Sequence, residues 1–158
     1  MTEKLEMGDQ FPSMSVSLVG GGEIDLPGAM GGNYNVVLFY RGHWWPYCRR
    51  QLVDFEKYAE ELKALDVKVF AASVDTEDKA QEVEDEVSFP IGYAAGTEHR
   101  DLMGSWWEDR RSIIQPSEFL LNGEGKVMAS SYSSGPIGRF DPQDVIKMVN
   151  FLESMKNK

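Results

Sequence analysis

The chain has 158 residues, with 16 Lys and Arg against 26 Asp and Glu and a formal net charge of −10. A balance this acidic lacks the basic footprint of a nucleic-acid binder and disfavours adhesion to an anionic membrane surface. The length fits one domain over residues 1–158, and a polar start with a single cysteine favours the cytoplasm over secretion.

In chain order, Met14, Val16 and Leu18 alternate before the Gly20–Gly22 cluster, and Ile24 and Leu26 follow it, which predicts an N-terminal β-hairpin. "NYNVVLFYRG" is a nearly continuous β-branched and aromatic run, as expected of a strand covered on both faces. In "PYCRRQLVDFEKYAEELKAL", Pro46 suits the first helical position. Cys48, Leu52, Phe55, Ala59, Leu62 and Leu65 then recur at three- and four-residue steps, predicting one long helix with an apolar stripe. "VKVFAASV" reads as a second buried strand. Asp75 then offers a cap for an acidic helix over "TEDKAQEVEDEV", with Ala80, Val83 and Val87 inward.

"SFPIGYAAG" reads as a short strand or an extended loop. "EHRDLMGSWWEDRR" reads as a helix with Leu102 and Trp106 on one side, against the low helix propensity of Gly104. "EFLLN-GEG-KVMASSY" predicts a second hairpin. "DPQDVIKMVNFLESM" predicts a capped closing helix with Val145, Met148, Val149, Leu152 and Met155 as its stripe. Strands alternating with helices, then an antiparallel pair, call for an α/β fold with a central mixed sheet flanked by helices.

The one cysteine lies in "RGHWWPYC", residues 41–48, at the expected strand-to-helix junction. Two residues after Pro46, Cys48 would sit in the first helical turn, where unpaired N–H groups and the positive helix end favour a thiolate. Arg49 and Arg50 follow it and Arg41 lies upstream, so nearby cations would favour the nucleophilic form further. Cys48 also belongs to the apolar stripe, as a small inert hydrophobe would. Spacing alone leaves both readings open. His43 is either a base for this thiol or an exposed loop residue. With His99 the other histidine, nothing has metal-ligand spacing, and neither metal nor cofactor is expected. The acidic run Glu82–Glu86 is most simply a solvated face, and Trp106 and Trp107 are explained by core packing before any partner surface. Pro116, in "IIQPSEFLL", stands where a strand begins, and the Gln115–Pro116 bond is a candidate for the cis isomer.

Taken together, "GDQFP", "FYRGHWWPYCRRQL", "QPSEFLL" ahead of a Gly-turn hairpin, and "YSSGPIGR" resemble the redoxins of the alkyl hydroperoxide reductase/thiol-specific antioxidant group, in particular its peroxiredoxin-like branch. The likeness covers roughly the whole chain. It implies a thioredoxin-like fold, Gln115–Pro116 as the cis peptide beside the site, and Cys48 at the head of the first long helix. In that branch the motif reads Cys-Pro-Tyr-Cys, the first cysteine attacking and the second resolving; here Trp45 takes the first position. Against the peroxiredoxin pattern Pro-x-x-x-Thr/Ser-x-x-Cys, Cys48 falls on the peroxide-attacking residue. Trp45 then replaces the hydroxyl residue and Arg41 the proline.

A single cysteine closes no internal disulfide, so a dithiol cycle within the chain is excluded. One-thiol chemistry remains: Cys48 attacks a peroxide to give a sulfenic acid, and an external thiol restores it. Arg41, or Arg139 if "GPIGR" folds back, would stabilise the departing oxyanion. The resemblance thus implies a hydroperoxide or small thiol/disulfide substrate, an external thiol reductant and a homodimer as one assembly, with activity impaired by Trp45. The rival reading is a redox-inactive thioredoxin-like binding or scaffold protein in which Trp45 covers Cys48.

Overall fold

A computed structural model describes residues 3–156. Its first half runs through β1 (Met14–Leu18), β2 (Glu23–Leu26), β3 (Tyr34–Phe39), α1 (Pro46–Lys57), α2 (Ala59–Ala64), β4 (Val67–Ala72) and α3 (Glu77–Glu84). The second half contributes β5 (Ile91–Tyr93), α4 (Thr97–Met103), β6 (Trp107–Glu108), β7 (Ile113–Ile114), β8 (Ser117–Asn122), β9 (Val127–Tyr132) and α5 (Pro142–Lys156). Seven strands form one mixed sheet in the order β2-β1-β5-β4-β3-β8-β9, while β6 and β7 make a separate ribbon. The strands β3, β4 and β5 pair in parallel; β1–β2, β1–β5, β3–β8 and β8–β9 pair antiparallel. The α/β class, the central mixed sheet flanked by helices, the N-terminal hairpin and the thioredoxin-like order are all present.

Every residue of β3 is buried, and the strand's twofold alternation divides it between two cores. Tyr34, Val36 and Leu38 join Leu120 beneath the stripes of α1, α2, α3 and α5. Val37 and Phe39 join Phe119 and Leu121 beneath Phe11, Met103 of α4 and Ile114. Each large apolar side chain so buried is worth about 1.5–3 kcal/mol, so a one-residue slip of β3 would forfeit both layers at once.

Three local expectations change. The long helix divides at Tyr58, whose N–H bonds to Phe55 O instead of continuing the four-residue ladder. This turn of the axis keeps Leu62 on the sheet. The helix expected through Trp106 stops at Gly104, which takes a left-handed conformation (φ 71°) that suits a residue without Cβ. Trp106 therefore stands exposed and Trp107 enters β6. Thr76, not Asp75, precedes α3 as its cap residue, because the Asp75 carboxylate is turned toward His43.

Candidate active site

The parallel strand β3 ends against the start of α1, and the turn between them carries the cysteine. Any side chain at Gly42 would push the Trp44 indole aside: a Cβ there would meet Trp44 Nε1 at 2.6 Å and Asp75 Oδ1 at 3.2 Å. Trp45 is the N-cap of α1 but offers no side-chain cap, and Pro46 is the first helical residue. The Cys48 N–H bonds back to Trp45 O at 3.1 Å, placing the thiol in the first turn.

Cys48 is 0 % exposed, yet it is not surrounded by hydrocarbon alone. Its Sγ accepts the Arg41 backbone N–H at 3.3 Å and Arg139 Nη2 at 3.1 Å. Two donors aimed at one sulfur suit negative charge there. The segment holding Arg139 does fold back, from the end of β9 across the N-terminus of α1. Arg139 Nε donates to Pro136 O at 2.9 Å and Nη1 to Gln51 Oε1 at 3.2 Å, so the guanidinium is fixed on three sides.

The other arginines are placed differently from what sequence proximity predicts. Arg41 lays its guanidinium 5.0 Å from the Trp45 ring and 3.9 Å from Glu108 Oε1, leaving its buried Nε without a partner. Burial pulls its pKa down, with Glu108 opposing. Arg49 donates to His43 O at 2.9 Å and pairs with Glu86, and Arg50 lies over the Tyr47 ring. Each helical step turns the side chain by about 100°, so neighbours of Cys48 in sequence point away from its sulfur. All three expected guanidinium groups are thus spent elsewhere, Arg41 reaching the sulfur only through its backbone N–H, and the guanidinium in contact comes from 91 residues downstream.

His43 does not reach the thiol. Its N–H donates to Asp75 Oδ2 at 2.8 Å and its Nδ1 lies 3.2 Å from Asp75 Oδ1. His99 is a structural pin: Nδ1 accepts the Gly96 N–H at 3.0 Å, which leaves Nε2 to donate to Ser15 O at 2.8 Å. Pro116 lies at the start of β8, but the Gln115–Pro116 peptide is trans; the cis peptide is Leu26–Pro27. The chain there runs extended from β7 into β8, with Pro116 O taking the Ser133 N–H at 3.0 Å, so no reversal is required. Trp45 packs against the cluster containing Cys48, with its Nε1 buried and unpartnered.

Sequence reasoning missed Gln51 and Glu118. Glu118, on β8, is 0 % exposed; Oε1 accepts the Phe140 N–H at 2.5 Å and Oε2 has no partner. Burial pushes its pKa up to about 7, against the opposing pull of the Phe140 N–H, Gln51 and Arg139. The available signal was a lone charge inside the apolar run "SEFLL". Burial also raises the Tyr40 hydroxyl, at the end of β3. Among the described residues no group of three or more His, Cys, Asp or Glu could hold a metal ion. A cavity of about 590 Å³ opens between α2, the start of β4 and Ile24, and Cys48 is not among its walls.

Residues 7–130 match the AhpC/TSA family. A peroxiredoxin of Treponema denticola is 27% identical over 161 residues, an alignment covering 96% of this chain and 76% of that protein. Among solved structures, AhpC of Mycobacterium tuberculosis superposes with a TM-score of 0.81 at 18% identity, over 96% of this chain and 95% of the other. The reduced 2-Cys peroxiredoxin of Plasmodium vivax gives 0.82 at 14% identity, over 96% and 84%.

Proposed function

The chain belongs to the AhpC/TSA family, and from that premise we propose that it is a peroxiredoxin-type oxidoreductase that reduces a hydroperoxide through Cys48 alone. The thiolate sulfur attacks the terminal peroxide oxygen, the O–O bond breaks, and the alkoxide or hydroxide leaves and takes up a proton. Sulfur is oxidised to a sulfenic acid and the peroxide is reduced to alcohol or water. One external thiol then condenses with the sulfenic acid, releasing water and forming a mixed disulfide. A second displaces the Cys48 thiolate and leaves as the oxidised disulfide.

The observation that carries this reading is the pair of N–H donors on Sγ, one from the Arg41 backbone and one from Arg139. Arg139 is placed to stabilise both the attacking sulfur and the developing oxyanion. The cytoplasm, where small thiols are plentiful, is the compartment that suits such a cycle, and a homodimer is the assembly we expect. Adding one equivalent of hydrogen peroxide, followed by a sulfenate-trapping dione, should modify Cys48 and no other residue. Unmodified Cys48 with unconsumed peroxide overturns the reading.

A second reading rests on the full burial of Sγ beneath a cluster that includes Trp45: a thioredoxin-like binding protein whose thiol is silent. It expects Cys48 to resist peroxide and alkylating reagents until the chain is unfolded, whereas a peroxidase admits both under native conditions.

A further inference from the structure

The segment that delivers Arg139 is the loop between β9 and α5, and a guanidinium on a loop must be held by something if it is to stay on one sulfur atom. The hold is visible at the next residue. The Phe140 N–H is taken by Glu118 Oε1 at 2.5 Å, and the Phe140 carbonyl accepts Gln51 Nε2 at 3.1 Å. Gln51 then uses its own oxygen to accept Arg139 Nη1 at 3.2 Å. The two peptide groups that flank Phe140 are therefore each held, one by Glu118 and one by Gln51, and the clamp continues through Gln51 to the guanidinium that contacts Cys48.

Glu118 is unusual for where it stands. Its register partners are Leu38 on β3 and Ser131 on β9, so it projects from the sheet face that carries α1 and α5, in a row otherwise apolar or hydroxylic. Arg139 is the charged side chain acting on it; Gln51 comes from α1 and the Phe140 amide from the start of the α5 segment. Burying a carboxyl with one oxygen unpartnered is costly. An apolar residue would serve the core better. The cost is intelligible if the acceptor at this point does a job.

We propose that Glu118 is a positioning residue: through the Phe140 peptide and Gln51 it locks the Arg139 guanidinium against Cys48 Sγ. The inference rests on the peroxidase reading only in that Cys48 is the reacting group. Held as a carboxylate or as the neutral acid, Glu118 still offers Oε1 as an acceptor, so the lock survives either protonation state. An amide oxygen would serve equally, and a side chain without an acceptor would not.

The test reads the sulfur directly. Thiolate absorbance near 240 nm at neutral pH, with Cys48→Ser as the blank, needs no reagent to enter the site. Glu118→Leu, which keeps the volume and removes the acceptor, should lower the thiolate fraction about tenfold, and Glu118→Gln should restore it to within about twofold. In an Arg139→Ala background the Glu118→Leu change should do nothing further, because the two act on one path. Glu118→Ala serves if Glu118→Leu does not fold. Absence of thiolate absorbance in the parent overturns the proposal. So does an unchanged Glu118→Leu signal, or an equal loss with and without Arg139, which would mark Glu118 as merely structural. Failure of the peroxidase reading looks different: the thiolate signal and its Glu118 dependence stand while hydrogen peroxide goes unconsumed.

Discussion

The two faces of the sheet treat buried polar groups in opposite ways. Around β1 and α4, His99 has both ring nitrogens engaged, and nearby Ser105 and Ser117 share a hydrogen bond at 2.6 Å. Around Cys48 the pattern reverses. Among the described residues, the buried side-chain atoms without partners are Tyr40 Oη, Arg41 Nε, Trp45 Nε1, Gln115 Oε1 and Glu118 Oε2. Tyr40, Arg41 and Trp45 lie in the strand-to-helix turn that carries the thiol, and Glu118 in the clamp behind Arg139. Each such atom costs about 1–3 kcal/mol, so the satisfied face is built for stability and the unsatisfied face tolerates its losses for another purpose. Substitutions on one face should therefore move a property that substitutions on the other leave alone.

The sharpest separation is expected at Arg139. Arg139→Ala removes the guanidinium donor on Sγ from a loop that contributes little core, so peroxide consumption should fall about 10²–10³-fold with the thermal midpoint nearly unchanged. A rate within a factor of two of the parent would break the comparison, since the orphaned face would then serve no chemistry. Glu118→Gln tests the cost itself. Burial raises its carboxyl from 4.5 to about 7, so the folded chain binds more protons than the unfolded one across that window. Stability from this group is fully present below pH 4.5 and is lost as the pH rises through 7, by about 3 kcal/mol in all. Glutamine has no charge to bury, so denaturant titrations of the variant should lack that slope, and at pH 8 it should be the more stable protein. A parallel pH profile in both proteins would remove Glu118 from the account.

How much of this could be read beforehand follows from sequence separation. The strand and helix order, the hairpins and the place of Cys48 in the first turn of α1 are local, set by alternation, by Pro46 and by the apolar stripe. The site is not local. Arg139 and Gln51 are joined across 88 residues, and Glu118 reaches Phe140 only because β8 pairs with β3 in one register. A Glu in an apolar strand was a visible anomaly, but nothing in the string says which loop it meets. Adjacency misled in the other direction: Arg49 and Arg50 neighbour Cys48 in the chain and turn away from it in space. Asp75 has the type and spacing of a cap, but Thr76 takes that place and the Asp75 carboxylate is drawn to His43 across 32 residues.

On the satisfied face, His99→Leu sharpens the contrast. It strips the partner from the Gly96 N–H and the Ser15 carbonyl, groups that tie α4 to β1. The loss should be about 2 kcal/mol of unfolding free energy, with the alkylation and peroxide rates of Cys48 unchanged. A fall in thiol reactivity would mean that the two faces are coupled through the sheet.

Trp45 carries the smallest expected effect on stability and the most direct bearing on access to the sulfur. As the N-cap of α1 it supplies no oxygen to the first turn, and its indole N–H is buried without a partner. Threonine at this position would accept the Cys48 backbone N–H, a cap worth about 1 kcal/mol, while giving up the indole's contact with the core. The two changes oppose each other, so Trp45→Thr should shift stability by no more than about 1 kcal/mol. The cover over Cys48 is thinned in the same step, and native alkylation should rise about fivefold, the scale on which lost local packing favours opening. If alkylation does not change, the sulfur is sealed by the sheet and by Arg139 rather than by the tryptophan, and the unsatisfied indole is a cost without a role.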